Sequence, residues 1–467
     1  MTALEELFGA VKVKRSQHRS RLVQHLLAQM VCLGKHTVTG LLSVCGRQFD
    51  DWSAAYRMYN RDRVEPERLF DVVRAGLCAT DDGPVVVALD DTCVKKTGKK
   101  VHGAKYTRDP MGPPFHVNFI WAQRFVQLSM ALKGPHGQAR MIPVDWRHAP
   151  RPPKPGKQAE PKAHALYKQQ CNETALTTVG GQRIANLRLW MDRHQARERA
   201  LWALGDGSFT NGPFLKQLPP NTVFVGRIRA DAKLFHLPAE QPQKGRRRVY
   251  GKHAPTPEEL RQDDAHPWET LQVFFGGQER TLRAKRLTPL RWPPAGGGRT
   301  VQLIVIAPTG YRLSPNTRRL YRKPAYLICT DPDASLKDVV QRYLWRWDIE
   351  TNFRDQKTLL GVGQAQVRTP AAVQNVTATA VAAYAMLLLA AHRCRQNATP
   401  IDHLPAPKWQ RRKPQRATTM NLIQNLRHEL WATAIHFSGF VNNTPANTNP
   451  KKCIPNLQSA LFYAQRH

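Results

Sequence analysis

The chain has 467 residues, 41% of them hydrophobic, with 70 Lys and Arg set against 35 Asp and Glu for a formal net charge of +35. That length and apolar content exclude a disordered tail and point to two or more packed units. The cationic excess attracts polyanions, with nucleic acid the first partner and an anionic membrane surface the competing one.

In chain order, residues 1–80 read as a basic helical region for DNA binding. "SRLVQHLLAQMVCL" has amphipathic spacing. "KHTVTGLLSVCGRQFDDWSAAYRMYNR" gives two helical runs about Gly46, sized either for a helix-turn-helix or for part of an ordinary bundle. Residues 81–219 open an α/β core. There "TDDGP" turns the chain into "VVVALDDT", a β-branched run that ends in two acids, and two further strands complete a meander. A basic, Pro-rich link and the helix "GGQRIANLRLWMDRHQARERA" lead to a fourth strand closing in "LGDGSF". Residues 220–319, short strands between Gly, Pro and Arg clusters, read as a β-rich insertion.

Residues 320–395 return to the core through the strand "PAYLICTD". One long helix follows, capped by Ser335 and ended by Gly361 and Gly363. The apolar run 376–391 is shorter than a membrane span and rich in Ala and Thr, so a buried core helix is expected and no membrane partner. Residues 396–467 read as a basic, helical C-terminal region. The eight cysteines are scattered without a CxxC pair, which argues for reduced thiols in the cytoplasm rather than zinc or disulfides. No signal-peptide pattern is expected to anchor the chain.

Carboxylates fall at three points of this plan. Asp90 and Asp91 close the first strand, Asp206 closes the fourth, and Glu350 lies on the long helix. Acids at strand ends can converge on a divalent ion without breaking the sheet, and hard oxygen ligands suit magnesium. At about 100° per residue, Tyr343, Arg346, Glu350 and Lys357 share one stripe beside Leu336, Val340 and Trp347. Gln341, Asp348, Asn352, Asp355 and Gln356 then form the opposite, solvated side. The stripe reads either as an ion-paired surface face or as charges placed for a metal ion and a phosphate.

The pattern Tyr343-x2-Arg346-x3-Glu350-x6-Lys357 resembles the Tyr-Arg-Glu-Lys signature of bacterial insertion-sequence transposases of the DDE type. "LDDT" and "LGDGSF" resemble their two aspartate motifs, so the likeness spans residues 81–395. It implies an α/β fold with a ribonuclease H-like mixed five-stranded sheet flanked by helices, a β-rich insertion, and helical N- and C-terminal regions. It implies Asp91, Asp206 and Glu350 as catalytic ligands of two Mg2+ ions, with Mn2+ as substitute. Asp90 rivals Asp91, because strand neighbours point to opposite faces. Arg346 and Lys357 are implied as phosphate contacts and Tyr343 as a support for the DNA backbone. Tyr326 is either an aromatic that stacks on a flipped base or an ordinary packed strand residue.

The activity so implied is cut-and-paste DNA transposition: cleavage at terminal inverted repeats, then strand transfer into target DNA. It would be carried out by a homodimer in a synaptic complex, in the cytoplasm on the nucleoid. A nuclease of the same fold without strand transfer and a silent, transposase-derived DNA-binding protein are the alternatives. "KGRRR" at 244–248 reads as a solvated loop or a DNA-backbone contact. "TGKK" and "AGGGR" lack the spacing of phosphate loops.

Overall fold

The structure, a computed structural model, describes residues 2–13, 16–61, 63–113, 115–239, 245–296, 298–314, 316–396 and 416–431. Lys244 of the "KGRRR" run and most of the expected C-terminal region lie outside these residues. The chain divides into two compact units, one of Met1–Gly76, Val94–Gln123 and Asn352–His467, the other of Leu77–Cys93 and Arg124–Thr351.

The strands in chain order are β1 (Val85–Lys95), β2 (Lys105–Arg108), β3 (Phe119–Lys133), β4 (Ala139–His148), β5 (Leu201–Gly205), β6 (Thr222–Arg227) and β7 (Phe235–His236). They continue with β8 (Glu269–Phe275), β9 (Gln278–Arg291), β10 (Thr300–Ile306), β11 (Gly310–Tyr311), β12 (Leu320–Tyr321) and β13 (Ala325–Cys329). The second unit is built on a mixed sheet in the order β3-β1-β5-β6-β13-β10-β9-β7, with β4 on β3 and β8 on β9. Val85 to Leu89 are all buried, as suits a β-branched strand in the middle of a sheet covered on both faces. β1 runs parallel to β5, and β5 parallel to β6. All pairings from β6 outward to β9 are antiparallel. The helix Leu176–Asp192 comes close enough that a Cβ on Gly180 would lie 3.0 Å from Leu89 and 2.8 Å from Phe209.

The strand "PAYLICTD" is β13, which pairs antiparallel with β6, and β6, from the stretch assigned to the insertion, is the parallel neighbour of β5. The sheet also extends past five strands, because β10 and β9 continue it beyond β13. Both follow from hydrogen bonding: β13 leaves an open edge that the insertion's strands fill.

The long helix is also two helices, Leu336–Trp345 and Asp348–Thr358. Ser335 caps the first, its hydroxyl accepting the Asp338 N–H at 3.1 Å. Between them Arg346, Trp347, Ile349 and Glu350 donate three residues back rather than four, to Tyr343, Leu344, Arg346 and Trp347. This tighter turn advances each side chain by about 120° instead of 100° and bends the expected stripe.

The side of these helices expected to be solvated is largely buried. Gln341, Asn352, Asp355 and Gln356 are all at most 8% exposed. Three of them find partners inside: Gln341 exchanges two hydrogen bonds with the Phe274 backbone, Asn352 accepts from the Tyr384 hydroxyl, and Asp355 from that of Thr419. Buried polar groups are tolerable once satisfied in this way, whereas Trp347, placed on the apolar side, is 55% exposed.

The first unit is a helical bundle around Pro370–Gln396. Thr369 accepts the Ala372 N–H at 3.3 Å and Pro370 occupies the first helical position, a favoured start. This helix is long and apolar enough to cross a bilayer, but its most apolar window is almost wholly buried among its neighbours. Helices Thr2–Ala10, Ser16–Val31, Ser53–Asn60 and Thr419–Trp431 pack against it. Thr377 and Thr379 return their hydroxyls to the carbonyls of Val373 and Asn375, which makes their burial affordable.

The two runs about Gly46 become Val38–Val44 and Ser53–Asn60, with Gly46 at a φ of +65°. The second helix buries Ala55, Met58 and Tyr59, and Phe49 and Trp52 before it stand exposed. β2 belongs to this unit and pairs with residues 119–122 of β3.

Within the bundle, His25 Nδ1 lies 3.0 Å from the Tyr59 hydroxyl, and both residues are buried. Burial, helped by Arg21 and Arg47, pulls the imidazole down to about 4 from its ordinary 6.5. The unfolded chain therefore takes up a proton below pH 6.5 that the folded one refuses until about pH 4, so stability falls as pH drops through that window. The difference is worth about 3 kcal/mol at full development. His25→Asn should flatten denaturant midpoints between pH 6.5 and 4 relative to the native protein. An unaltered acid slope in the variant would assign the effect elsewhere.

Candidate active site

β1 and β5 set the geometry. They run parallel in the register Val85↔Leu201 to Ala88↔Leu204, and two more steps bring Asp90 level with Asp206, just past the end of β5; Asp90 and Asp91 do not close their strand as expected, because β1 runs on to Lys95. Gly205, just before Asp206, has no room for a side chain, since a Cβ would lie 2.9 Å from the Phe224 ring. Beyond it the chain turns, and Asp206 accepts the Ser208 N–H at 2.9 Å while its carbonyl accepts the Thr210 hydroxyl at 2.7 Å. The second acid is thus fixed by its own turn.

Arg346 joins the third acid to the first. Its guanidinium donates to Asp90 at 3.0 Å and to Glu350 at 3.5 Å. The sequence reading paired Arg346 with Glu350 alone; the contact with Asp90, 256 residues away, carried no local signal. Arg346 and Asp90 are both largely buried, with 11% and 15% of their side chains exposed. Asp206 lies within electrostatic reach of Asp90, Glu350 and Arg346.

Burial pushes the Asp90 carboxyl up to about 7, with Arg346 opposing and Asp206 adding to the rise. Glu350 is also raised, by burial first, against Arg346 and with Asp206. One guanidinium therefore only partly offsets the repulsion among three carboxylates.

Asp91 stands differently. It points to the other face of β1 and interacts with Arg124, a buried guanidinium that donates to the carbonyls of Ala149 and Thr174. The structure thus brings together Asp90, Asp206 and Glu350, with Asp91 on the opposite face.

The other expected site residues scatter. Tyr343 is buried, its ring centre 5.8 Å from the Arg346 guanidinium. Lys357 lies about two turns beyond Glu350 on the helix Asp348–Thr358, its ammonium 6.0 Å from the Phe353 ring centre, and belongs to the first unit. Tyr326 is 7% exposed on β13 and donates its hydroxyl to Glu258, the surroundings of a packed strand residue. Arg342, which the motif did not single out, stacks its guanidinium 4.0 Å from the Trp202 ring centre beneath the same helix.

Among the described residues no three His, Cys, Asp or Glu side chains stand assembled around a metal position; Arg346 lies between two of the acids instead. The chemistry of the donor set nonetheless fits a divalent cation. Three carboxylates supply hard oxygen ligands, and the raised Asp90 and Glu350 mark a cluster short of positive charge.

Arg346→Ala would leave the acids facing one another and is expected to cost about 3 kcal/mol of unfolding free energy near pH 8. Adding Asp90→Asn should recover part of that loss, read as a coupling term in denaturant titrations of the single and double variants. Strictly additive costs would mean the pair contributes nothing.

No curated protein matches the chain. The family model for the DDE superfamily endonuclease matches residues 6–297. That span holds Asp90, Asp91 and Asp206 and ends before the helix that carries Glu350. Because it covers more than half of the 467 residues, the chain belongs to the DDE superfamily endonuclease family.

Proposed function

We propose that the protein is an insertion-sequence transposase with a ribonuclease H-like catalytic core, cleaving DNA at terminal inverted repeats and transferring the freed ends into target DNA. The observation that carries this reading is the meeting of Asp90 on β1 and Asp206 just after β5, level with each other, with Glu350 through Arg346. The strand order β4-β3-β1-β5-β6, antiparallel between β3 and β4 and parallel across β1, β5 and β6, supports the ribonuclease H-like assignment. The spacing Tyr343-x2-Arg346-x3-Glu350-x6-Lys357 supports the transposase group.

In this reading Asp90, rather than Asp91, is the first ligand, with Asp206 the second and Glu350 the third. They would hold Mg2+, two ions at full occupancy, or Mn2+ in its place. Bound there, the metal supplies activation of water or a 3′-hydroxyl and charge stabilisation at the phosphate. Arg346 keeps Asp90 and Glu350 oriented and presents a planar donor to a phosphate. Lys357 adds a second cation along the same helix, and Tyr343 backs the Arg346 guanidinium. The net charge of +35 draws the polyanion in. A homodimer pairing two ends in a synaptic complex on the nucleoid completes the reading.

A duplex carrying the inverted repeats that flank the gene, incubated with the full-length protein and Mg2+, tests it by gel for nicks and for joined products. Asp90→Asn, Asp206→Asn and Glu350→Gln should each abolish nicking, and Asp91→Asn should retain it. Loss in Asp91→Asn with activity in Asp90→Asn would reverse the choice of first ligand. Nicking without joined products would favour the nuclease alternative.

Arg346→Lys and Lys357→Ala should both slow cleavage. If they are surface ion-pair residues only, rates will match the native protein and stability will change by about 0.5 kcal/mol or less.

A further inference from the structure

Residues 310–325 hold Arg312, Arg318, Arg319, Arg322 and Lys323 and no Asp or Glu. They form the hairpin β11–β12, in which Gly310 pairs with Tyr321 and Tyr311 with Leu320. All five cations are exposed.

Several of these guanidiniums are held against rings. Arg322 lies 5.4 Å from the Tyr311 ring centre and 5.6 Å from that of Phe275. Phe275 ends β8, and Arg280, across the turn at Gly276 and Gly277, lies 6.0 Å from the same ring. Arg319 lies 5.5 Å from the Tyr321 ring centre. The tip of β8–β9 and the hairpin β11–β12 thus share Arg322 and make one surface of interleaved cations and aromatics.

A guanidinium stacked on a ring uses its flat face there and leaves its N–H edge free to donate. Planar donors of this kind match phosphate oxygens in pairs. Rings that hold them in place reduce the side-chain entropy lost on binding. Arg319 and Arg322 are exposed on this surface, where an external polyanion can reach them.

We infer that the β8–β9 tip and the β11–β12 hairpin form a clamp for the phosphate backbone of duplex DNA, separate from the acid cluster. The clamp rests on the reading of the protein as a DNA-processing enzyme and names a surface that reading leaves unassigned. Arg319 and Arg322 are its phosphate contacts, and Phe275 and Tyr311 are positioning residues that act through Arg322.

The test uses the full-length protein without divalent metal and a labelled 30-base-pair duplex of arbitrary sequence, with affinity read by fluorescence anisotropy over a salt series. Each phosphate contact contributes about 0.9 to the slope of log affinity against log salt. The R319A/R322A double variant should therefore lose about 2 from that slope and bind about tenfold or more weakly at moderate salt. F275L/Y311L should keep the slope and weaken binding severalfold, because the charges remain and only their placement is lost. Circular dichroism of each variant verifies the fold.

A native slope and affinity in R319A/R322A would overturn the clamp. Native affinity in F275L/Y311L would remove the positioning role. Loss of binding to phosphatidylglycerol vesicles with duplex binding intact would reassign the surface to a membrane. Nicking in Mg2+ on a duplex bearing the flanking repeats keeps the two claims apart. Nicking by the native protein with unchanged binding by R319A/R322A would sink the clamp alone, and a native protein that binds with the full slope yet never nicks would sink the proposed activity alone.

Discussion

The guanidinium of Arg346 is the constraint on which the acid cluster depends. Asp90 and Glu350 are both drawn toward the protonated form by burial, and Asp206 nearby makes their ionisation harder still. Without a cation among them the sheet end would be a point of repulsion. Arg346 reaches two of the three acids because the backbone tightens between the helices Leu336–Trp345 and Asp348–Thr358, with hydrogen bonds to residues three back. A continuous α-helix would carry the same side chains at a different angle. The break is therefore part of how the third acid is delivered to the other two.

The sheet supplies the rest of the geometry by simple means. Parallel pairing makes equal progress along β1 and β5, so acids at equal depth end level with each other. Gly205 and its contact with Phe224 fix where β5 stops. Nothing in this arrangement requires the strands on the far side of β6, where β13, β10 and β9 extend the sheet. The arginine hairpin β11–β12 is a separate two-stranded sheet, apart from the sheet that carries the acids.

Much of this was legible in the sequence because it was written locally. The β-branched run 85–89, the Ser335 cap and the apolar run at 376–391 each depend on residues a few places apart. The choice between Asp90 and Asp91 was not legible, because every residue from Val85 to Leu89 is buried; with both faces covered, no alternation marks which way a side chain points. Which strand lies beside β5 was not legible, because pairing between distant strands leaves no local mark: β6 takes that place and β13 the next. The buried Asn352, Asp355 and Gln356 looked solvated because polarity alone does not reveal that Tyr384 and Thr419 wait to receive two of them.

The bundle around Pro370–Gln396 has a consequence for how the chain is made. Its outer helices come from the first 76 residues, while the helix they enclose is more than 290 residues further along. During vectorial synthesis those early helices leave the ribosome with their apolar faces uncovered, and they stay so until the helix they enclose is translated. At about 5–20 residues per second that interval lasts some tens of seconds. By the end of that interval all the strands of the second unit have been made and its sheet can form. The last-made segment thus completes the first-made one, and the protein's exposure to aggregation and to chaperones is set by its topology rather than by its final stability.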